Sequence, residues 1–293
     1  MKRTLSILIP TYNDKCLNLV KELKGQADKI NGLEYEIIVA DDGSTDPDVI
    51  KDNSQIALLG CCKFIRNIQN LGRAKIRNFL ASMSAFEWLL FIDGDMLCIH
   101  PQFIINYLNI NDDYKVVYGG YDLLPTRAGN LRWKYELKAQ PFHHAAERNK
   151  HAWNDFHTSN FLIASAVFRQ YPLDERFTHY GYEDVLYGKC LKANGIRIWH
   201  IDNPVTFAKF ENNTSFVKKT EESLCTLYHF HTELGSYSRI VSLCSKLHSM
   251  HLTPLVKAFH HAFGTILRRN LCGMRPSLLC FNVYKIGYYV CLQ

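Results

Sequence analysis

The chain has 293 residues, 47% hydrophobic and 21% charged, with no repeat or low-complexity tract. This fits one large globular domain, or a domain with an appendage, and excludes a disordered or fibrous protein. The net charge of +6 is modest, with Lys and Arg scattered until the C-terminus rather than gathered in a stripe, so no nucleic-acid partner is expected.

The ten cysteines are irregularly spaced and include no Cys-x-x-Cys pair. Met1-Lys2-Arg3 leads directly into a short apolar segment with no signal-peptide pattern. Reduced thiols in a cytoplasmic protein are therefore expected, without a disulfide framework or a zinc site.

In chain order, Thr4–Ile9 reads as a strand stopped by Pro10, and residues 14–30 as a helix with Leu17, Val20, Leu23 and Ala27 on one face. Strands follow at residues 34–40, 63–66 and 88–92, with a helix over 73–83 between the last two. Asp46 and Pro47 have the N-cap and first-residue pattern of another helix. Wholly apolar strands separated by helices indicate an α/β protein with a parallel sheet covered on both faces. Ligands in such folds bind beyond the carboxyl ends of the strands.

Beyond residue 100, strands are predicted at 115–119, 157–164 and 196–201, and a helix at 182–193. Residues 125–154 are polar and aromatic with weak periodicity, as suits a substrate-covering segment or an inserted helix. The pattern turns helical from about residue 215. The expected organisation is a domain over 1–212, with a nucleotide-binding half (1–100) and an acceptor-binding half (101–212), followed by a helical extension over 213–293.

Several residues have the chemistry of a nucleotide site. Asp93-Gly94-Asp95 ends an apolar run, Trp88–Ile92, and two carboxylates at a strand end suit a divalent cation on a diphosphate. The intervening glycine is expected to let the chain turn so that both acids face the ion. Asp41 and Asp42 end another strand, where an acid can accept from a base N–H or ribose hydroxyls. Pro10, Thr11, Tyr12 and Asn13 leave the first strand as an extended loop offering backbone groups and a ring to a base. Asn70, Gly72 and Arg73 precede a helix, where free backbone N–H groups and a cation suit phosphate. Arg73, Lys75 and Arg77 cannot all face one site, since helical neighbours two apart diverge.

Taken in order, Ser6–Asn13, Val39–Asp46, Asn70–Ala74 through Asn78, and Asp93–Asp95 resemble the successive motifs of family 2 glycosyltransferases, over roughly residues 4–210. The resemblance implies a GT-A fold (a Rossmann-like mixed sheet flanked by helices), a nucleotide-diphospho-sugar donor, favoured as UDP-linked, and an inverting mechanism. It implies Mn2+ or Mg2+ held by Asp93 and Asp95, with His200 completing the metal or diphosphate site. Residues 157–161 resemble the strand that lines the donor sugar.

Phe177–Asp184 resembles the Gly-x-Glu-Asp element of galactosyltransferase-like and chondroitin-polymerase-like members. On that basis Asp184 is the base that deprotonates the acceptor hydroxyl. Glu183 with Tyr180, Gly181 and Tyr182 would bind the acceptor, a glycan or lipid-linked glycan. The same acids could instead serve only to cap the following helix.

Other classes fit less well. A nucleotidyltransferase needs a Gly-rich basic loop near the N-terminus, and residues 10–15 have neither property; a dehydrogenase needs a Gly-x-Gly-x-x-Gly after the first strand. An inactive nucleotide-sugar-binding partner would not need Asp184. Residues 253–269 form a basic amphipathic pattern, with Leu255, Phe259, Phe263 and Ile266 against Lys257, Arg268 and Arg269. Lys285 interrupts the apolar run 278–292, so neither segment is expected to span a bilayer. The tail 253–293 is read either as an interfacial helix pair on the inner membrane surface or as a cap that buries Phe259 and Phe263.

Overall fold

The computed structural model describes residues 1–124 and 129–293; residues 125–128, which open the segment expected to cover substrate, lie outside the described residues. The chain forms two compact units. The first comprises Met1–Leu124, Pro141–Thr178 and Tyr187–Lys209, and the second Pro125–Gln140, His179–Leu186 and Phe210–Gln293.

Ten strands belong to the first unit: β1 (Thr4–Thr11), β2 (Glu34–Asp41), β3 (Cys62–Arg66), β4 (Trp88–Ile92), β5 (Met96–Leu97), β6 (Val116–Tyr118), β7 (Tyr121–Asp122), β8 (Asn160–Ala164), β9 (Ile198–His200) and β10 (Val205–Phe207). Seven form one sheet in the order β3-β2-β1-β4-β8-β6-β9, and β5-β10-β7 form a smaller one. β1 to β4 run parallel, β8 is antiparallel to both its neighbours, and β9 is parallel to β6. The sheet is therefore mixed, not wholly parallel. The carboxyl ends of β1, β2, β3, β4, β6 and β9 share one edge with the start of β8.

Both faces of the sheet are covered. Leu8, Ile38, Ala40, Leu89, Phe91, Phe161 and Ile163 pack against Ala74, Ile76 and Leu80 of the helix Arg73–Met83 and against Tyr187 and Leu191. Phe91 stacks on Phe161 with ring centroids 4.8 Å apart. By the two-residue strand period, Ile7, Ile9, Ile37, Val39, Leu90 and Ile92 point to the opposite face, and they too are fully buried. A sheet buried on both sides leaves only its ends accessible, which is why function gathers there.

β1 runs past its expected stop at Pro10. Proline forfeits only a donor, and its carbonyl still accepts the Gly94 N–H (3.1 Å), while the Thr11 carbonyl accepts the Asp42 N–H (2.8 Å). Asp46 accepts from the N–H groups of Asp48 and Val49, with Pro47 as first residue of the helix Pro47–Ser54.

The second unit is helical: Leu131–Ala139, Asn213–His229, Arg239–Ser249, Thr253–Cys272 and Leu278–Leu292 are its longer helices. Leu131, Val217, Leu271, Phe281 and Tyr284 form its core. Glu221 accepts from Arg268 Nε (2.7 Å) and from the Tyr284 hydroxyl (2.6 Å), and Glu211 bridges Arg132 and Lys219. A division at residue 212 is thus corrected in part. Residues 129–140 and the stretch bearing Asp184 pack with the C-terminal helices, because their apolar and hydrogen-bonding partners lie there. Among the described residues, no helix is long and apolar enough to cross a membrane.

Candidate active site

Asp41 ends β2 with no exposure to solvent. Its Oδ1 accepts the Ser44 N–H (2.8 Å), whereas the buried Oδ2 has no hydrogen-bond partner and lies 3.9 Å from Arg66 Nε. A buried acceptor left in this state costs about 1–3 kcal/mol, unless a ligand donor meets it. Tyr12, 46% exposed, stands at the rim of the same edge, next to the buried Thr11. Arg66, at the end of β3, was not read from the sequence. Its only signal is a cation at the end of the strand paired with β2.

Asp42 has a different task. It accepts the N–H groups of Leu71 (2.7 Å) and Gly72 (3.1 Å), and burial, offset by these bonds, raises its pKa above the usual carboxylate value. The Leu71 and Gly72 amides are thereby engaged, and Asn70 Oδ1 also accepts the Gly72 N–H (3.0 Å). Contrary to expectation, the Gly72 N–H is therefore not free for a diphosphate, and the Asn70 side chain helps to shape the loop. Gly72 takes φ +86°, and a Cβ there would press on the Thr178 carbonyl at 3.3 Å. Asn13 is corrected likewise. Its Oδ1 accepts the Thr45 and Asp46 N–H groups and its own N–H donates to Ser44 Oγ (2.8 Å), so it ties two loops together instead of facing a base.

Across β1 from Asp41 lies the Asp93–Asp95 turn. Two strand spacings separate the chain at Asp41 from that at Asp93, roughly 10 Å. Arg73 Nη2 lies 3.1 Å from Asp93 Oδ2, and Arg77 Nη2 pairs with Asp93 Oδ1. The four-residue spacing puts both arginines on one side of their helix, whereas Lys75 diverges. Arg77 is buried and was not among the residues expected at the site. Its signal is the i, i+4 relation to Arg73.

Gly94 is required for a reason other than turning. A Cβ there would meet Thr11 Cβ and Oγ1 at 2.9 Å, so only glycine lets this loop lie against the end of β1.

Asp93 therefore differs from the expected metal ligand, since each of its oxygens already faces a guanidinium. Asp95 stands partly exposed at the turn. Its carbonyl accepts the Ala208 N–H (3.1 Å), which brings Lys209 beside the turn. The Lys209 ammonium pairs with Asp14 at 2.6 Å; that bond, and then the negative charges of Asp14, Asp95 and Asp46, raise its pKa. No sequence pattern marks Lys209, because only β10 brings it to this edge. Among the described residues no three His, Cys, Asp or Glu converge as a metal cage. One carboxylate with substrate phosphates and water remains a suitable set for a hard cation.

His200 is corrected most firmly. Its Nε2 faces the Ala152 carbonyl (2.8 Å) and its Nδ1 faces Arg148 Nη1 (3.2 Å). A neutral ring donating from Nε2 and accepting at Nδ1 satisfies both, which leaves no lone pair for a metal. Burial lowers its pKa to about 4. At the start of β8, the Ser159 carbonyl accepts the Asp93 N–H (3.1 Å), while Ser159 Oγ is buried without a hydrogen-bond partner.

In the second unit, Glu183 and Asp184 open the helix Glu183–Ala193, where the helix dipole favours negative charge. Asp184 Oδ1 accepts the Val185 N–H (2.8 Å), so a helix-terminal role is realised there. Ahead of it the Tyr180 N–H donates to Glu222 Oε1 (3.0 Å), and Gly181 (φ +101°) and Tyr182 (φ +67°) are both left-handed. Burial raises the Tyr182 hydroxyl pKa. A left-handed tyrosine carries a backbone penalty of about 1–3 kcal/mol, and such strain is held where a loop must be aimed.

The mixed sheet with this strand order, flanked by helices, has the architecture of a GT-A fold. The model of glycosyl transferase family 2 matches residues 6–177, and the chain belongs to that family. Among curated proteins it is similar to validoxylamine A glucosyltransferase of Streptomyces hygroscopicus subsp. jinggangensis (28% identity over 282 residues, 80% of this chain and 65% of that protein). It thus spans just under two-thirds of that relative's length. An uncharacterized glycosyltransferase of Haemophilus influenzae is 34% identical over 98 residues, 33% of this chain and 31% of that one.

The fold is shared with many solved structures, of which two serve as examples. One is S. aureus TarS 1-349 in complex with UDP (TM-score 0.52, 17% identity, covering 98% of this chain and 89% of that one). The other is the Pyrobaculum calidifontis mannosyltransferase PcManGT in complex with GDP-Man and Mn2+ (TM-score 0.56, 13% identity, 98% and 84%).

Proposed function

We propose that this chain is an inverting glycosyltransferase that moves a hexose or N-acetylhexosamine from a UDP-linked donor to a hydroxyl of a glycan or lipid-linked glycan in surface polysaccharide assembly. The observation that carries the donor half is the buried Oδ2 of Asp41, which no hydrogen bond satisfies, across β1 from the Asp93–Asp95 turn. That oxygen accepts the imide N–H of uracil, beside Thr11 and under Tyr12. Arg73 and Lys209 face the diphosphate. Arg77 holds Asp93 so that it meets the ribose or the donor sugar, and Ser159 Oγ meets the sugar.

Asp95 would hold a bound Mn2+ or Mg2+, which supplies charge neutralisation for the departing diphosphate. The ligands of the two structures that share the fold, UDP in one case and GDP-Man with Mn2+ in the other, support this reading.

On the acceptor side, Asp184 takes the proton as the hydroxyl attacks the anomeric carbon. Tyr180, Gly181, Tyr182 and Glu183 set its position and contact the acceptor. The left-handed turn ahead of the helix supports an aimed loop rather than a cap alone.

A hydrolysis screen over nucleotide-sugars with Mn2+ or Mg2+ identifies the donor, and Asp184→Asn then tests the base. Transfer should fall by about 10^2–10^4-fold while UDP affinity by calorimetry stays within roughly twofold. A large fall in UDP binding would move Asp184 into the donor site. No turnover of any nucleotide-sugar, with UDP still bound, would instead favour a nucleotide-sugar-binding partner.

A further inference from the structure

The charge of this chain is unevenly placed. Residues 234–293 contain seven Lys and Arg (Arg239, Lys246, Lys257, Arg268, Arg269, Arg275, Lys285) and no Asp or Glu. The remaining 233 residues carry 27 Lys and Arg against 28 Asp and Glu, so the whole positive excess sits in this one segment.

The helix Thr253–Cys272 in that segment docks by one face and leaves its aromatic face uncovered. Its inward face lies toward its C-terminal half: Gly264 and Leu271 are buried, Leu267 and Cys272 pack against the same core, and Arg268 reaches Glu221. Gly287 of the following helix packs on the His260 ring, where a Cβ would meet Nδ1 at 2.5 Å. The large apolar side chains point out. Leu255, Phe259, Phe263 and Ile266 are 67%, 45%, 47% and 60% exposed. Steps of four, four and three residues align them on one face over about 17 Å. The Phe259 and Phe263 rings lie 4.9 Å apart and form a half-exposed ridge. Arg269 is exposed beside Ile266, and Met274 and Arg275 are exposed just past the helix.

We infer that this face docks on an anionic lipid bilayer surface, with Leu255, Phe259, Phe263 and Ile266 entering the acyl boundary and the exposed cations meeting acidic headgroups. Charge selects the occupant. A second copy of this face would set cations against cations with no carboxylate to offset them. A purely apolar partner would leave the charges unmatched. An anionic interface satisfies both halves of the pattern, and the helix need only lie in the headgroup plane. Each cation brought to such a surface strengthens binding by about fivefold. The proposal concerns the helical unit and does not depend on the donor assignment.

The test is vesicle flotation of the full chain at physiological salt, ~0.15 M. Vesicles of phosphatidylcholine alone are compared with vesicles that also contain phosphatidylglycerol. The protein should float with the anionic vesicles and not with the neutral ones. Phe259→Ser with Phe263→Ser should cut the bound fraction roughly tenfold or more. Arg269→Glu with Arg275→Glu should do the same and should weaken the salt dependence. Phe259 and Phe263 are about half exposed and Arg269 and Arg275 are exposed, so the fold should persist, and circular dichroism checks that the loss of binding is not unfolding.

Absence of binding to anionic vesicles, equal binding to both vesicle types, or binding unaffected by the phenylalanine pair would each overturn the inference. So would a lipid-independent dimer in sedimentation that dissolves on Phe259→Ser with Phe263→Ser, since the face would then belong to a second copy.

Discussion

Removing the Asp93 carboxylate should destabilise the first unit far more than removing its exposed partner. Side-chain exposure is 2% for Arg77 and 13% for Asp93, but 38% for Arg73. Asp93→Leu leaves the Arg77 guanidinium buried without a counter-charge, at a cost of about 3–5 kcal/mol. Arg77→Met leaves Asp93 with only the solvent-screened Arg73, a smaller but similar loss. Arg73→Ala removes an ion pair that water already weakens and should cost about 0–1 kcal/mol.

The double variant Arg77→Met with Asp93→Leu takes away both buried charges and refills their volume. It should return to within roughly 1–2 kcal/mol of wild type, and so reveal a coupling of about 3 kcal/mol. Urea unfolding followed by intrinsic fluorescence measures this, because three of the four tryptophans (Trp88, Trp153 and Trp199) lie in the first unit. Single variants that each cost under about 1 kcal/mol and simply add would refute the clamp as the anchor of the turn.

Further outcomes are expected at the same edge. Asp41→Asn keeps the shape of the pocket but sets a donor against the imide N–H, so UDP affinity by calorimetry should drop by about 10–100-fold; unchanged affinity would place the base elsewhere. Asp95→Ala should abolish the Mn2+ dependence of UDP binding, while His200→Gln should leave that dependence intact; the reverse pattern would restore His200 as the ligand.

Acid should destabilise the protein through the same histidine. His200 titrates near 4 when folded against 6.5 as the ordinary value, so only the unfolded chain takes up its proton between those limits. Its contribution is fully present above pH 6.5, is lost as pH falls toward 4, and levels off below that. Unfolding midpoints across this window should slope less in His200→Gln, and an identical slope would show that other groups dominate.

Local pattern revealed a great deal here. The helix Arg73–Met83 and β4 appear where the apolar periodicity puts them, since a buried element must repeat its own geometry in its residues. The Asp46–Pro47 helix start was equally legible, because capping is satisfied within a few residues. The direction of β8 was not legible: a strand buried on both faces reads the same in either sense. Nor was the task of each polar residue. Asp42, Asn13 and Asn70 look like ligand groups by type, yet their oxygens accept backbone amides, some about 30 residues away along the chain.

Sequence alone determined the family, the alternation that makes the sheet, and which strand ends carry acids, because motif order and periodicity are properties of the chain itself. Tertiary structure alone decided the rest. It put Arg77 and Arg73 on Asp93, brought Lys209 to the turn through β10, gave both ring nitrogens of His200 to Arg148 and Ala152, and turned Phe259 and Phe263 outward. Each of these depends on contacts between residues distant in sequence, and whether a side chain is a ligand, a clamp or an exposed ridge is decided by what packs beside it.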